Sequence, residues 1–140
     1  MNKTEIMAFM TAHPDHFFAT SENNMPHVRP ITTYRADAKG IIYFTQAVKD
    51  LYKQMAKNPE IETCYYDGNI VLRIQGRVKF IEDMALKKEI VANRTFLQPQ
   101  IEKNGWDYLK PFTLEKARAY VHNRKTTPLI PGAPKDWIDL

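Results

Sequence analysis

Lys49 and Lys53 stand four residues apart, directly after the apolar run Ile41–Phe44 and the hydroxyl of Thr45. If a strand turns into a helix here, two ammonium groups share one helical face with the positive end of the helix dipole. The like-charge pair alone is unfavourable by about 0.2–0.5 kcal/mol. An anion would relieve it, with helix N–H groups and the Thr45 hydroxyl as further donors. A solvated lysine-rich face is the competing reading. The position immediately behind a buried strand, at the rim of a sheet, favours the anion site. The sequence has no glycine-rich phosphate loop, so side chains and one helix end would have to hold a phosphate.

A second candidate is the stretch His27-Val28-Arg29-Pro30-Ile31-Thr32-Thr33. Arg29 can grip an anion with both arms of its guanidinium, and Pro30 frees a ladder position so that backbone can face a flat ring. The same residues also describe an edge strand guarded by Pro and Arg. Arg73, Gln75, Arg77 and Lys79 alternate along one strand face and read as solvent-exposed, with a dimer interface or ligand site as the lesser alternative. His13-Pro14-Asp15-His16 is broken by its proline and lacks a carboxylate or thiol cluster, so no metal site is expected. Cys64 reads as a small buried hydrophobe. No nucleophile elbow and no carboxylate pair is present, and side-chain catalysis is not visible.

These residues need elements to carry them. Ile6, Phe9 and Met10 recur at helical spacing within Thr4–His13. His16–Thr20 and His27–Arg35 read as strands around a turn at Glu22–Asn24, and Ile41–Phe44 as a strand covered on both faces. Val48, Leu51, Tyr52, Met55 and Ala56 form the apolar stripe of a helix closed by Asn58-Pro59. Ile61–Tyr66 and Ile70–Phe80 read as a hairpin about Asp67-Gly68-Asn69. The second strand has period 2, with polar odd positions after Val71, and Gly76 at its middle, where a bend or bulge belongs. Met84–Asn104 reads as helical with a break at Gln98-Pro99. Phe112–His122 is ambiguous, because Leu114–Arg118 favours helix while Ala117, Ala119 and Val121 alternate. The sum is an α+β chain, mainly β, with five or six antiparallel strands in a small barrel with inserted helices.

The 140 residues fit a single domain over 1–126 followed by an extended, proline-containing tail over 127–140. One cysteine and the short N-terminal apolar cluster predict a cytoplasmic protein without a membrane segment. The net charge of +4 is scattered along the chain. Nucleic-acid binding is not expected, since Arg73, Arg77 and Lys79 have no aromatic among them.

Taken in order, Val28-Arg29-Pro30, Tyr43-Phe44-Thr45, Lys49–Met55 ending in Asn58-Pro59, and Leu72–Val78 resemble the pyridoxamine 5'-phosphate oxidase-like FMN-binding split-barrel family. The resemblance is strongest to its small nitroimidazole-resistance-type flavin reductases and covers His16 to Glu82. It implies a split antiparallel barrel that holds FMN at a homodimer interface. Val28, Arg29, Pro30, Ile31 and Thr32 would run along the ring and ribityl chain; Phe44, Thr45, Lys49 and Lys53 would lie at the phosphate end. The implied activity is a flavin-dependent reductase or oxidase of a small molecule, with FMN as hydride carrier. The alternative is a non-enzymatic module for flavin, deazaflavin or haem on the same fold. Two departures bear on vitamin-B6 oxidase activity. Arg94 stands isolated where those oxidases are rich in Arg and Ser, and the tail lacks their Trp- and Arg-rich segment.

Overall fold

The structure, a computed structural model, describes residues 1–140. Its helices are α1 (Lys3–Ala12), α2 (Asp50–Lys57), α3 (Met84–Asn93) and α4 (Gln98–Asn104). Its strands are β1 (Asp15–Glu22), β2 (Met25–Thr32), β3 (Arg35–Asp37), β4 (Gly40–Gln46), β5 (Glu60–Tyr66), β6 (Ile70–Phe80), β7 (Leu109–Asn123) and β8 (Ile138–Asp139). All pair antiparallel in the order β2-β1-β5-β6-β7-β4-β3, with β8 also on β7. No ladder joins the two end strands, β2 and β3, although Thr33 and Tyr34 connect them in the chain. The fold is the expected split barrel, and the split is where the two ends fail to meet.

Period-2 burial builds the interior. Ile41 and Tyr43 of β4, Leu72 and Ile74 of β6, and Ala117 and Ala119 of β7 all enter one core. Phe18 meets Tyr43 and Phe112 edge-on, each at 5.8 Å between ring centroids, a geometry contributing about 1 kcal/mol per pair beyond area burial. Helix α1 adds Ile6 and Met10, fully buried, to the same core. Its start is fixed by a capping box in which Asn2 and Glu5 bond each other's backbone, two residues ahead of the expected cap at Thr4.

Several expectations give way to tertiary structure. The ambiguous Leu114–Arg118 is strand, because β7 pairs with β6 along nearly its whole length and that ladder overrides helix propensity. The bulge expected near Gly76 is there, with its extra residue on β7. Gln75 pairs Arg118 and Arg77 pairs Glu115, so two residues, Lys116 and Ala117, face Gly76. The helical stretch breaks at Arg94, not at Gln98-Pro99; Pro99 sits in the first turn of α4, where its missing N–H is harmless. The tail is extended only in part. Its end returns as β8, Leu140 N–H donates to Ala117 O, and Arg118 lies 4.6 Å over the Trp137 ring. With β3 split from the return strand, this raises the strand count to eight.

A smaller core joins Ile90, Leu97, Ile101 and Leu109, with Tyr34 and Phe44 packed against it. It docks α3 and α4 against the outer side of β4, so β4 is covered on both faces as its apolar run requires. It also brings the turn after α3 to the mouth of the split.

Candidate functional site

A groove of about 690 Å³ lies in the split, within the range of small-molecule sites. One wall is Arg29 to Tyr34; the other is Phe44 to Gln46 of β4 and Val48 to Leu51 entering α2. Arg94 and Phe96, after α3, form the rim. Of the residues singled out in the sequence, Arg29, Pro30, Ile31, Thr32, Phe44, Thr45 and Lys49 line this one groove. Val28 and Lys53 do not. The β alternation turns Val28 outward, 68% exposed, and Lys53 lies one turn into the helix on its exposed side.

The groove charge is mixed. Arg29, Lys49 and Arg94 face it along with a single carboxylate, Asp50. Lys49 is not within the first turn of α2 but is its N-cap, with extended backbone and no side-chain capping bond. An ammonium has no acceptor with which to cap helix N–H groups, and that of Lys49 forms no hydrogen bond or ion pair with another side chain. Val48, expected in the helical stripe, precedes the helix and is 61% exposed at the groove; Gln54 takes the buried place beside Leu51 and Met55.

Arg29 does not reach freely into the groove. Its Nη1 donates to Thr20 Oγ1 at 2.9 Å, and its Nη2 donates to Gln54 Oε1. Half-burial lowers its pKa from the usual arginine value, and Asp50 acts in the opposite direction. The guanidinium stays charged and is held against β1 and α2, a geometry unlike the free bidentate grip read from the sequence.

Thr45 carries the sharpest signal. It is 2% exposed, it lines the groove, and its Oγ1 has no hydrogen-bond partner in the protein. A buried hydroxyl left unpaired is unfavourable by about 1–3 kcal/mol, and a ligand oxygen in the groove would remove that penalty.

Thr33 closes the stretch His27–Thr33 singled out in the sequence, but the polar groups it meets escaped sequence reasoning. Thr33 also lines the groove, 4% exposed, and its Oγ1 lies 2.6 Å from Tyr65 Oη. Tyr65 Oη in turn lies 2.9 Å from Tyr43 Oη. His16, buried at 2% exposure, stacks on Tyr65 at 4.1 Å and is held neutral, with burial depressing its pKa to about 4. Tyr43 reads as one more apolar residue in Ile41–Phe44, and nothing in the sequence distinguishes it. Lys87 is buried against Glu82 and the Trp106 carbonyl, bracing α3. His16 is in the core while His13 packs beside Phe9, so the two histidines do not form a pair.

The sequence matches the pyridoxamine 5'-phosphate oxidase family over residues 3–117. No curated protein matches it. Among solved structures, a NimC/NimA family protein from Clostridium acetobutylicum superposes with a TM-score of 0.78 at 16% identity, covering 99% of this chain and 93% of that one. An FAD-binding protein from Mesorhizobium loti gives 0.59 at 15%, covering 85% and 94%. HutZ, the haem storage protein from Vibrio cholerae, gives 0.58 at 16%, covering 82% and 90%. At such identities the likeness establishes the fold alone.

Proposed function

The chain belongs to the pyridoxamine 5'-phosphate oxidase family, and from that membership and the groove we propose that it binds FMN as a flavin-dependent reductase or oxidase of a small molecule. The observation that carries the proposal is Thr45 Oγ1, buried and unpartnered beside the uncommitted Lys49. A phosphate there would accept from the hydroxyl and neutralise the ammonium at the start of α2. Arg29, braced by Gln54 and Thr20, would add its field from the groove wall. FMN, when bound, supplies hydride transfer; the protein supplies binding, orientation and shelter from water.

A second copy of the chain would complete the site in this proposal. The outer face of β1 and β2 presents Phe17, 58% exposed, and Val28, 68% exposed, in the ladder pairs Phe17–Pro30 and Ala19–Val28, two steps apart and therefore on one face. Covering this face would bury them, and sedimentation of the purified protein is the check. A haem-binding module is the second reading, prompted by the haem storage neighbour. It is less well supported, since the groove lining contains no His, Cys or Met to serve as axial ligand, and its one tyrosine, Tyr34, has its hydroxyl bonded to Glu89 and Asn93.

Titration with FMN and with riboflavin, followed by absorbance and flavin fluorescence, tests the proposal. FMN is expected to bind at least tenfold tighter than riboflavin, and Lys49→Ala to erase that difference. Lys53→Ala should weaken FMN less than Lys49→Ala. Protein that stays without flavin absorbance after incubation with FMN would overturn the reading, and a haem spectrum as isolated would favour the alternative.

A further inference from the structure

The three buried hydroxyls of Tyr43, Tyr65 and Thr33 form a chain from the core to the groove, and their protons can be assigned by elimination. His16 Nδ1 lies 2.9 Å from the Pro14 carbonyl, which can only accept, so Nδ1 carries the proton. His16 therefore cannot accept from Thr33 Oγ1, 3.4 Å from the same nitrogen. Tyr43 Oη has one neighbour, Tyr65 Oη. Tyr65 Oη has two, Tyr43 Oη and Thr33 Oγ1. Three hydroxyls thus carry three protons across two contacts, and one proton must leave the chain. If Thr33 donated to Tyr65 and Tyr65 to Tyr43, the leftover proton would sit on Tyr43, fully buried among Phe18 and Phe112 with no acceptor. If Tyr43 and Thr33 both donated to Tyr65, the Tyr65 proton would be stranded in the core in the same way. Only the order Tyr43 to Tyr65 to Thr33 brings the leftover proton to a residue that lines the groove.

We propose that Thr33 is a specificity-determining residue of the groove, an oriented hydroxyl donor that selects ligands with a carbonyl or ring-nitrogen acceptor at that point. The flat-ring end of the ligand is the counterpart. Thr33 lies four residues beyond Arg29 along extended chain, roughly 13 Å at ~3.3 Å per residue. Arg29 itself is tied to α2, next to Lys49 and Thr45. This inference rests on the flavin reading in that FMN is its probe; the direction of the hydroxyl chain does not depend on it.

The test compares wild type with Thr33→Val, which keeps the shape and removes the donor, and Thr33→Ser, which keeps the donor. Thr33→Val is expected to weaken FMN and riboflavin by the same three- to tenfold factor and to shift the bound-flavin absorbance, and Thr33→Ser to restore both. Equal affinity and spectrum in wild type and Thr33→Val would overturn the proposal while leaving the flavin reading in place. A loss confined to FMN would overturn the ring assignment. If wild type binds no flavin, the flavin reading fails, and NMR of the ligand-free protein decides this proposal. Support is a slowly exchanging Tyr65 hydroxyl proton with an NOE to the Thr33 side chain and His16 protonated at Nδ1. A Tyr65 proton directed to Tyr43, or His16 protonated at Nε2, would overturn it.

Discussion

Gln54 Oε1 accepts a hydrogen bond from Arg29 Nη2, tying helix α2 to the edge strand that forms one wall of the groove. The same oxygen accepts from Thr20 Oγ1 of β1, so one amide holds two donors from two strands.

Replacing Gln54 with Leu strands both donors, one of them charged. The expected loss is about 2–3 kcal/mol, seen as a fall in Tm of roughly 5–10 °C. Gln54→Glu keeps the acceptor and adds a charge complementary to Arg29, and should hold the wild-type midpoint. Equal melting of Gln54→Leu and wild type would show that the clamp contributes nothing.

Thr45→Val removes a hydroxyl that has no partner. Without ligand the variant should be as stable as wild type or more so, by up to about 1 kcal/mol in urea unfolding. Its FMN affinity should nevertheless fall roughly tenfold, with Thr45→Ser close to wild type. Parallel loss of stability and affinity would mean that Thr45 is a packing residue only.

At the β6–β7 bulge Lys116 has φ +51°, a left-handed conformation that side chains resist. Lys116→Gly is therefore expected to stabilise by about 0.5–1 kcal/mol. Gly76→Ala should act the other way, because its new Cβ would meet Leu114 Cβ at 3.1 Å and the backbone of β7 behind it. Differential scanning calorimetry of the two variants checks both signs.

His16 makes stability depend on acidity. Its folded pKa of about 4 lies below the ordinary 6.5, because burial opposes the charged ring more than the Pro14 carbonyl and Asp15 support it. The unfolded chain therefore takes up the proton first. The contribution is complete above pH 6.5 and is lost as pH falls towards 4, by about 3 kcal/mol in all. Urea midpoints at pH 7.5, 5.5 and 4.5 should fall more steeply for wild type than for His16→Phe. Parallel slopes would rule out this histidine as the source.

The sequence revealed much of the frame because its strongest periodicity falls on β6, a long strand paired on both sides. Leu72–Phe80 alternates without a break, and Gly76 marked the bulge to the residue on one of its two strands. β7 was not legible in the same way, since Leu114–Arg118 has helical preference and becomes strand only through β6 beside it. Arg29, Pro30, Thr45 and Lys49 followed from the chemistry of local stretches, and Ile31 and Thr32 from the family resemblance. Thr33, Tyr65, Tyr43 and His16 come from four separate elements or connections, and no spacing in the sequence announces that their polar atoms meet. Lys53 lies outside the groove lining because helical periodicity gives a shared face but not where the helix begins; starting at Asp50 moved Lys49 to the cap.

The end strand β2 contains Pro26 and Pro30, two residues with no N–H to offer a neighbour. Proline persists in sheets where the missing donor faces away from the existing ladder, so the free margin of β2 is a poor template for a foreign strand. The split between β2 and β3 is thereby protected from being sealed by intermolecular β-pairing at high concentration. Pro30→Val should make the protein more prone to fibrillar assembly on prolonged incubation, even if its fold and melting point are unchanged.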